Sequence, residues 1–134
     1  MNFSTINWLA VAAAALSSFV IGGLWFSPLL FCNVWMRAAG LSEEQVKAGN
    51  KGKIFGVTAI LSLIMALNLA MFLNDPKTTA SWGATAGFLA GIWTFCAIAM
   101  VGLFELKSWA YIFINGLYST ISLTVMGLII GAWR

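Results

Sequence analysis

The chain has 134 residues, 61% of them hydrophobic and 8% charged, with no histidine; ordinary soluble domains carry about a quarter charged residues, so a water-bathed globule is excluded. Seven basic and four acidic residues give a net charge of +3, but the bases are few and sit in short loops beside acids, so there is no stripe for nucleic acid. The lack of imidazole also excludes haem ligation by His, a His-containing zinc site and Ser-His or Cys-His nucleophile pairs.

The charges gather at 37–53, 75–77, 105–107 and 134, leaving 1–36, 54–74, 78–104 and 108–133 without one. Each gap exceeds the roughly 20 apolar residues that carry a helix across a bilayer. A lone segment in lipid must satisfy its own backbone, so the spans are helices. The expected fold is all-α: a single polytopic transmembrane domain over 1–134, with four spans at about 5–26, 54–73, 80–104 and 109–132. Its surroundings are the lipid bilayer.

The first span carries Ala10, Ala14, Ser18 and Gly22 at four-residue spacing. A cleaved signal peptide is the rival reading of this segment, but it lacks the positive n-region such peptides carry. Running unbroken from Thr5 to Met36, a helix would be about 48 Å long, beyond a hydrocarbon core of about 30 Å. Something must turn it, and Ser27 followed by Pro28 is a helix-start pair, a hydroxyl that caps and a ring that suits the first helical position. The chain is therefore expected to leave the membrane near Trp25 and to begin a short amphipathic helix, about 28–39, lying in the interface. Trp25, Phe26, Phe31 and Trp35 suit that depth as anchors. Asn33 and Arg37, one turn apart, face water, and Gly40 ends the helix. An aromatic box gripping a ligand is the functional alternative.

The loop LSEEQVKAGNKGK reads as a solvated turn with a short helix begun by Ser42. The second span offers Ser62, Ala66 and Ala70 as its small face. NDPKTT is a tight turn, because Asp-Pro blocks helix continuation. The third span repeats Gly83, Gly87 and Gly91, with Gly102 on the same face; ELKS then closes a tight antiparallel hairpin with the fourth. The fourth carries Gly116, Thr120, Thr124, Gly127 and Gly131. Small residues at this spacing let backbones approach where lipid tails remove the hydrophobic drive for association. Packing within one bundle is one reading of these stripes, and homo-oligomerisation is the other.

With four spans, 37–53 and 105–108 share a side and hold five of the seven bases, against Lys77 and Arg134 opposite. Because loops rich in Lys and Arg stay cytoplasmic, both termini are expected outside. No catalytic residue, cofactor or metal ligand set is apparent: Cys32 and Cys96 are small apolar fillers, and Glu43 and Glu44 are hydrated loop residues. Glu105, at the end of the third span and two residues from Lys107, is the only approach to an ionisable group inside the membrane. Asn7, Asn68, Asn115 and Tyr118 lie within or near spans. Asn115, with Ser119 and Ser122 on its face, forms a candidate polar track with Thr94, Glu105 and Tyr118, or else simple interhelical hydrogen bonds.

The run VIGGLWFSPLLFCNVWMRAAGLSEEQ resembles the opening of a family of small bacterial membrane proteins, domain of unknown function 1761. The matching positions are Gly23, Leu24, Trp25, Phe26, Ser27, Pro28, Phe31, Trp35, Gly40, Leu41, Ser42, Glu43 and Glu44. The closing run from Leu103 to Arg134 is similar to the family's final segment at Glu105, Trp109, Asn115, Gly116, Tyr118, Gly127 and Trp133. Phe26 stands where the family often has Tyr, and Cys32 where it often has Gly. The resemblance implies a four-span bacterial inner-membrane protein and supplies no activity.

The expectation is a non-catalytic membrane module, a homo-oligomer or an accessory subunit of a larger complex. A small oligomeric transporter or channel is the alternative, weakened because the first helix has no embedded carboxylate to couple protons. A lipid or quinone binder is a third reading, and it requires a cavity.

Overall fold

The structure, a computed structural model, describes residues 3–133; Arg134, counted above among the outer charges, lies outside the described residues. A short 3-10 turn at Phe3–Thr5 precedes six helices: α1 Trp8–Trp25, α2 Cys32–Ala39, α3 Glu43–Ala48, α4 Lys51–Phe72, α5 Ala80–Phe104 and α6 Trp109–Ala132. No strand occurs among the described residues. Helices α1, α4, α5 and α6 are each long and apolar enough to cross a membrane. All four start on a side-chain cap, where an oxygen takes up one of the free N–H groups of the first turn. The caps are Asn7 on Ala10, Asn50 on Lys53, Thr79 on Trp82 and Ser108 on Tyr111.

Packing is inverted relative to a soluble protein. The interior holds Ala10, Ala14 and Ser18 of α1, Ser62, Ala66 and Ala70 of α4, and the small stripes of α5 and α6, while Trp93 and Phe104 are 80% and 91% exposed. Lipid supplies no hydrophobic drive between helices, so close backbone approach and hydrogen bonds hold the bundle. Helix α6 is the hub, touching α1, α2, α4 and α5, while α1 also packs on α4.

The tightest pairing is the α5–α6 hairpin. A Cβ added to Gly83 would overlap the carbonyl of Gly127, and one on Gly87 the carbonyl of Leu123; at Gly91 it would strike Thr120. Thr120 Oγ1 donates across the seam to the carbonyl of Gly91 at 3.1 Å and within its own helix to that of Gly116 at 2.9 Å. Gly131 meets the carbonyl of Thr79, and Gly116 faces the ring of Phe95. The stripes of α5 and α6 thus meet each other inside the chain.

One end of the bundle is tied by polar contacts. Thr5 Oγ1 and the Asn74 side chain bond at 2.6 to 2.9 Å, and Asn7 Nδ2 donates to the carbonyl of Trp133 at 3.1 Å. The start of the chain, the α4–α5 turn and the end of α6 therefore share one end, and α2, α3 and the α5–α6 turn lie at the other.

Between α1 and α2 the structure corrects the expected helix start. Helix α2 begins at Cys32 rather than Pro28, its N-terminal flanking residue Phe31 provides no side-chain cap, and 27–31 form a turn. The hydroxyl of Ser27 points back, donating to the carbonyl of Leu24 at 2.7 Å. It closes α1 and is not available to open α2. Leu30 and Cys32 then donate to the carbonyl of Ser27 at 3.0 and 3.2 Å, which winds the chain once around Pro28 before helix resumes. Gly40 ends α2 with φ 73°, the left-handed conformation glycine adopts without strain. Ser42 opens α3 with a reciprocal capping box to Gln45.

The α5–α6 turn reaches the same geometry with an unsuited residue. Lys107 N–H bonds to the carbonyl of Gly102 and Leu106 N–H to that of Leu103, the double bond of a Schellman motif, and it sets Leu106 at φ 59°. Left-handed backbone costs a residue with a Cβ roughly 1–2 kcal/mol, and the Leu106 side chain is 91% exposed. Leu106→Gly is therefore expected to raise stability by about 1 kcal/mol, read as a later midpoint of unfolding in mixed micelles. An unchanged or earlier midpoint contradicts this.

Candidate lateral groove

The chain's polar side chains at membrane depth separate into three groups. The first is a buried cluster between α1 and α6. Tyr118 OH lies 3.3 Å from Ser18 Oγ and donates to the Ser18 carbonyl at 3.2 Å, while Ser122 Oγ donates to Ser18 Oγ at 2.8 Å. Gly22, one turn beyond Ser18, leaves room for the phenol: a Cβ there would sit 3.0 Å from Tyr118 OH. Ser18 and Gly22 read in the sequence as a packing stripe; the same stripe seats a hydroxyl. Ser122, two turns beyond Asn115 on the same face of α6, bonds into this cluster and does not line the groove that Asn115 borders.

The second group lines a groove of about 770 Å³ between α2, α5 and α6. Its α2 side is Trp35, Ala39 and Leu41; its α5 side is Ala97, Ile98 and Val101. Along α6 it exposes Tyr111, Asn115, Tyr118 and Ser119, and Glu105 and Lys107 border it at the turn. Asn115 and Ser119, one helical turn apart, lie about 10 and 16 Å along α6 from its cap. The Asn115 amide donates to the carbonyl of Tyr111 at 3.1 Å. Its oxygen and the Ser119 hydroxyl bond to no other described residue, although every fully buried polar side-chain atom described is satisfied. Lys107 sits 5.4 Å from the centroid of the Tyr111 ring, a cation–π geometry; Glu105 is exposed.

The aromatic block at the serine-proline corner builds the groove's roof. Trp25 packs against Phe31 in a tilted contact with centroids 4.7 Å apart, and Phe26 is clamped edge-on between Trp35 at 5.4 Å and Tyr118 at 5.3 Å. Trp25 is half-buried and its indole N–H donates to the carbonyl of Ile114 at 2.8 Å. The polar edge of this ring, assigned to headgroups on sequence grounds, is turned into the protein and ties the corner to α6.

The third group sits elsewhere. Thr94 does not join Asn115: it borders a separate groove of about 450 Å³ between α4 and α5, together with Asn68, and its hydroxyl bonds to the carbonyl of Ala90 at 3.0 Å. The expected track of Thr94, Glu105, Asn115 and Tyr118 is thus divided: Thr94 lines this groove, and the other three border the first. Helical spacing identified which residues share a face but not which neighbour that face meets. The walls at Ala39, Leu41, Ala97, Ile98 and Val101 carry no sequence signal, being apolar positions among many.

Four membrane-length helices, an interior of small residues and a groove opening sideways between an interfacial segment and a hairpin define a multi-pass helical membrane protein. The chain belongs to the family described as Protein of unknown function (DUF1761), whose match covers residues 9–131. No curated protein and no solved structure shows significant similarity to it.

Proposed function

We propose that the protein is a non-catalytic membrane module that binds an amphiphile from the bilayer in the groove between α2, α5 and α6. The ligand has a long apolar tail and an uncharged end bearing a carbonyl or hydroxyl. The observation carrying this reading is the pair Asn115 and Ser119: an amide oxygen and a hydroxyl, half-buried on the groove wall at membrane depth, with unused hydrogen-bonding capacity. Polar groups left unpaired in an apolar medium cost a few kcal/mol each, which a ligand's polar end offsets. Ile98 and Val101 continue the wall for a tail, and Phe26 and Trp35 offer flat faces for a ring or chain. Glu105 and Lys107 carry opposite charges at the border, so the site favours a neutral or zwitterionic end over an anion.

The groove contains one carboxylate and the chain no histidine, which supports a binding rather than a catalytic role. A solute pore draws less support, because the polar residues divide between two separate grooves. Charge asymmetry supports an orientation with the α2 end cytoplasmic and both termini periplasmic, in a bacterial inner membrane, where the module serves as a self-associated or accessory unit.

The test is native mass measurement of protein extracted from membranes in mild detergent, followed by identification of what it retains. Wild type is expected to keep one amphiphile per chain, and its mass distinguishes a diacyl lipid from an isoprenoid quinone. Ser119→Leu, which removes the hydroxyl and fills the groove, is expected to weaken retention about tenfold or more. Wild type emptied by detergent exchange, or equal retention by the variant, overturns the proposal.

A further inference from the structure

The groove between α4 and α5 holds an unmet polar group that the first groove does not account for. These two helices are consecutive in the chain, yet they meet chiefly at their outer ends, where Phe72 and Trp82 stand 6.3 Å apart. Below that contact they diverge around a space of about 450 Å³. Asn68 lies on its wall, exposed, and its carboxamide bonds to no other described residue. Helix α4 ends at Phe72, four residues further on, which places Asn68 about 6 Å inside the helix. Across from it, Trp93 is 80% exposed.

We infer that a second copy of this chain covers this groove, related by a two-fold axis along the membrane normal, with the two Asn68 side chains exchanging N–H···O hydrogen bonds. A lipid tail offers nothing to a carboxamide, so an occupant that satisfies it brings a donor and an acceptor to the same level. A copy turned about the membrane normal does so by symmetry: its Asn68 arrives at the same depth, and a carboxamide is self-complementary. Such an interface is isologous and closes at two chains. Polar side chains hydrogen-bonding across helices are a recognised source of association in lipid. The glycine stripes are already engaged in the α5–α6 hairpin, so the contact falls on α4 and α5 outer faces. Trp93 then reaches the opposing groove, a flat ring filling a notch. The inference stands apart from the amphiphile site, which shares no residue with it.

The test uses the full chain in native membranes, with Cys32→Ser and Cys96→Ala as background. Under mild oxidation, Asn68→Cys is expected to give a disulfide-linked dimer, and Leu16→Cys, exposed on α1, only background. In lipid, with Asn68→Leu in the otherwise natural chain, the dimer dissociation constant is expected to rise about 3- to 30-fold while helicity is retained. Cross-linking at Asn68→Cys no greater than at Leu16→Cys overturns the inference, as does an Asn68→Leu chain that associates like wild type. If Asn68→Leu fails to fold, the cysteine comparison alone decides.

Discussion

Gly87→Val is expected to lower the stability of the bundle by about 3 kcal/mol or more. The added Cβ would overlap the carbonyl oxygen of Leu123, which belongs to the α6 backbone and cannot swing aside as a side-chain tip would. Relief requires the two helices to part, and that removes the Thr120 bond to Gly91 together with the packing along Gly83 and Gly127. In lipid no hydrophobic gain compensates for a looser seam. The matched control is Gly23→Ala, where an added Cβ meets nothing within 4 Å. Gly23 lies inside α1, so alanine there is expected to stabilise by up to about 1 kcal/mol through helix propensity. Unfolding of purified protein in mixed micelles separates the two: an early midpoint for Gly87→Val and an unchanged or later one for Gly23→Ala. A Gly87→Val chain as stable as wild type contradicts the hairpin packing.

Trp25→Ala is expected to cost about 2–4 kcal/mol locally and to free the corner and α2 from α6. It removes both the ring contact with Phe31 and the indole bond to the Ile114 carbonyl. Trp25→Phe keeps an aromatic ring and loses only the donor. Ile114 lies inside α6, where its carbonyl retains its helical partner, so the phenylalanine variant should cost about 1 kcal/mol. Hydrogen exchange over 26–41 reads the difference: fast exchange in Trp25→Ala, a modest increase in Trp25→Phe. If the ring served solely as a lipid anchor, the two variants would leave exchange in this segment alike. Because Phe26 and Trp35 roof the groove, amphiphile retention should fall with the same ranking.

The spans were legible because charge is so costly in hydrocarbon that its absence marks them. All four expected starts, at 5, 80, 109 and 54, fall within three residues of those in the structure; for the first three the caps, Asn7, Thr79 and Ser108, are ordinary sequence features. The fourth, α4, starts at Lys51, one turn nearer the water than its charge-free stretch, because Asn50 caps it there and lysine stems tolerate the interface. The serine-proline corner misled for a specific reason. A serine hydroxyl before proline is equally able to cap forward or to bond backward to the preceding turn, and only the three-dimensional path selects Leu24 as its partner. Pairing across distance was likewise invisible. Tyr118 and Ser18 are separated by 100 residues, and nothing local to either announces the other. Thr94 and Asn115 occupy neighbouring helices with compatible spacing, but α5 presents Thr94 toward α4. The left-handed Leu106 violates the residue preference of its own motif, so sequence argues against the turn that forms.

The family match and the membrane-length helices fix what kind of protein this is; the proposed function rests on the groove. A density map of the protein in lipid nanodiscs tests that directly. Elongated density is expected between Trp35 and Ile98, with its polar end within hydrogen-bonding distance of Asn115 and Ser119. A map in which α2 lies collapsed onto α5, with Ala39 and Leu41 packed against Ile98 and Val101 and no space between, contradicts it.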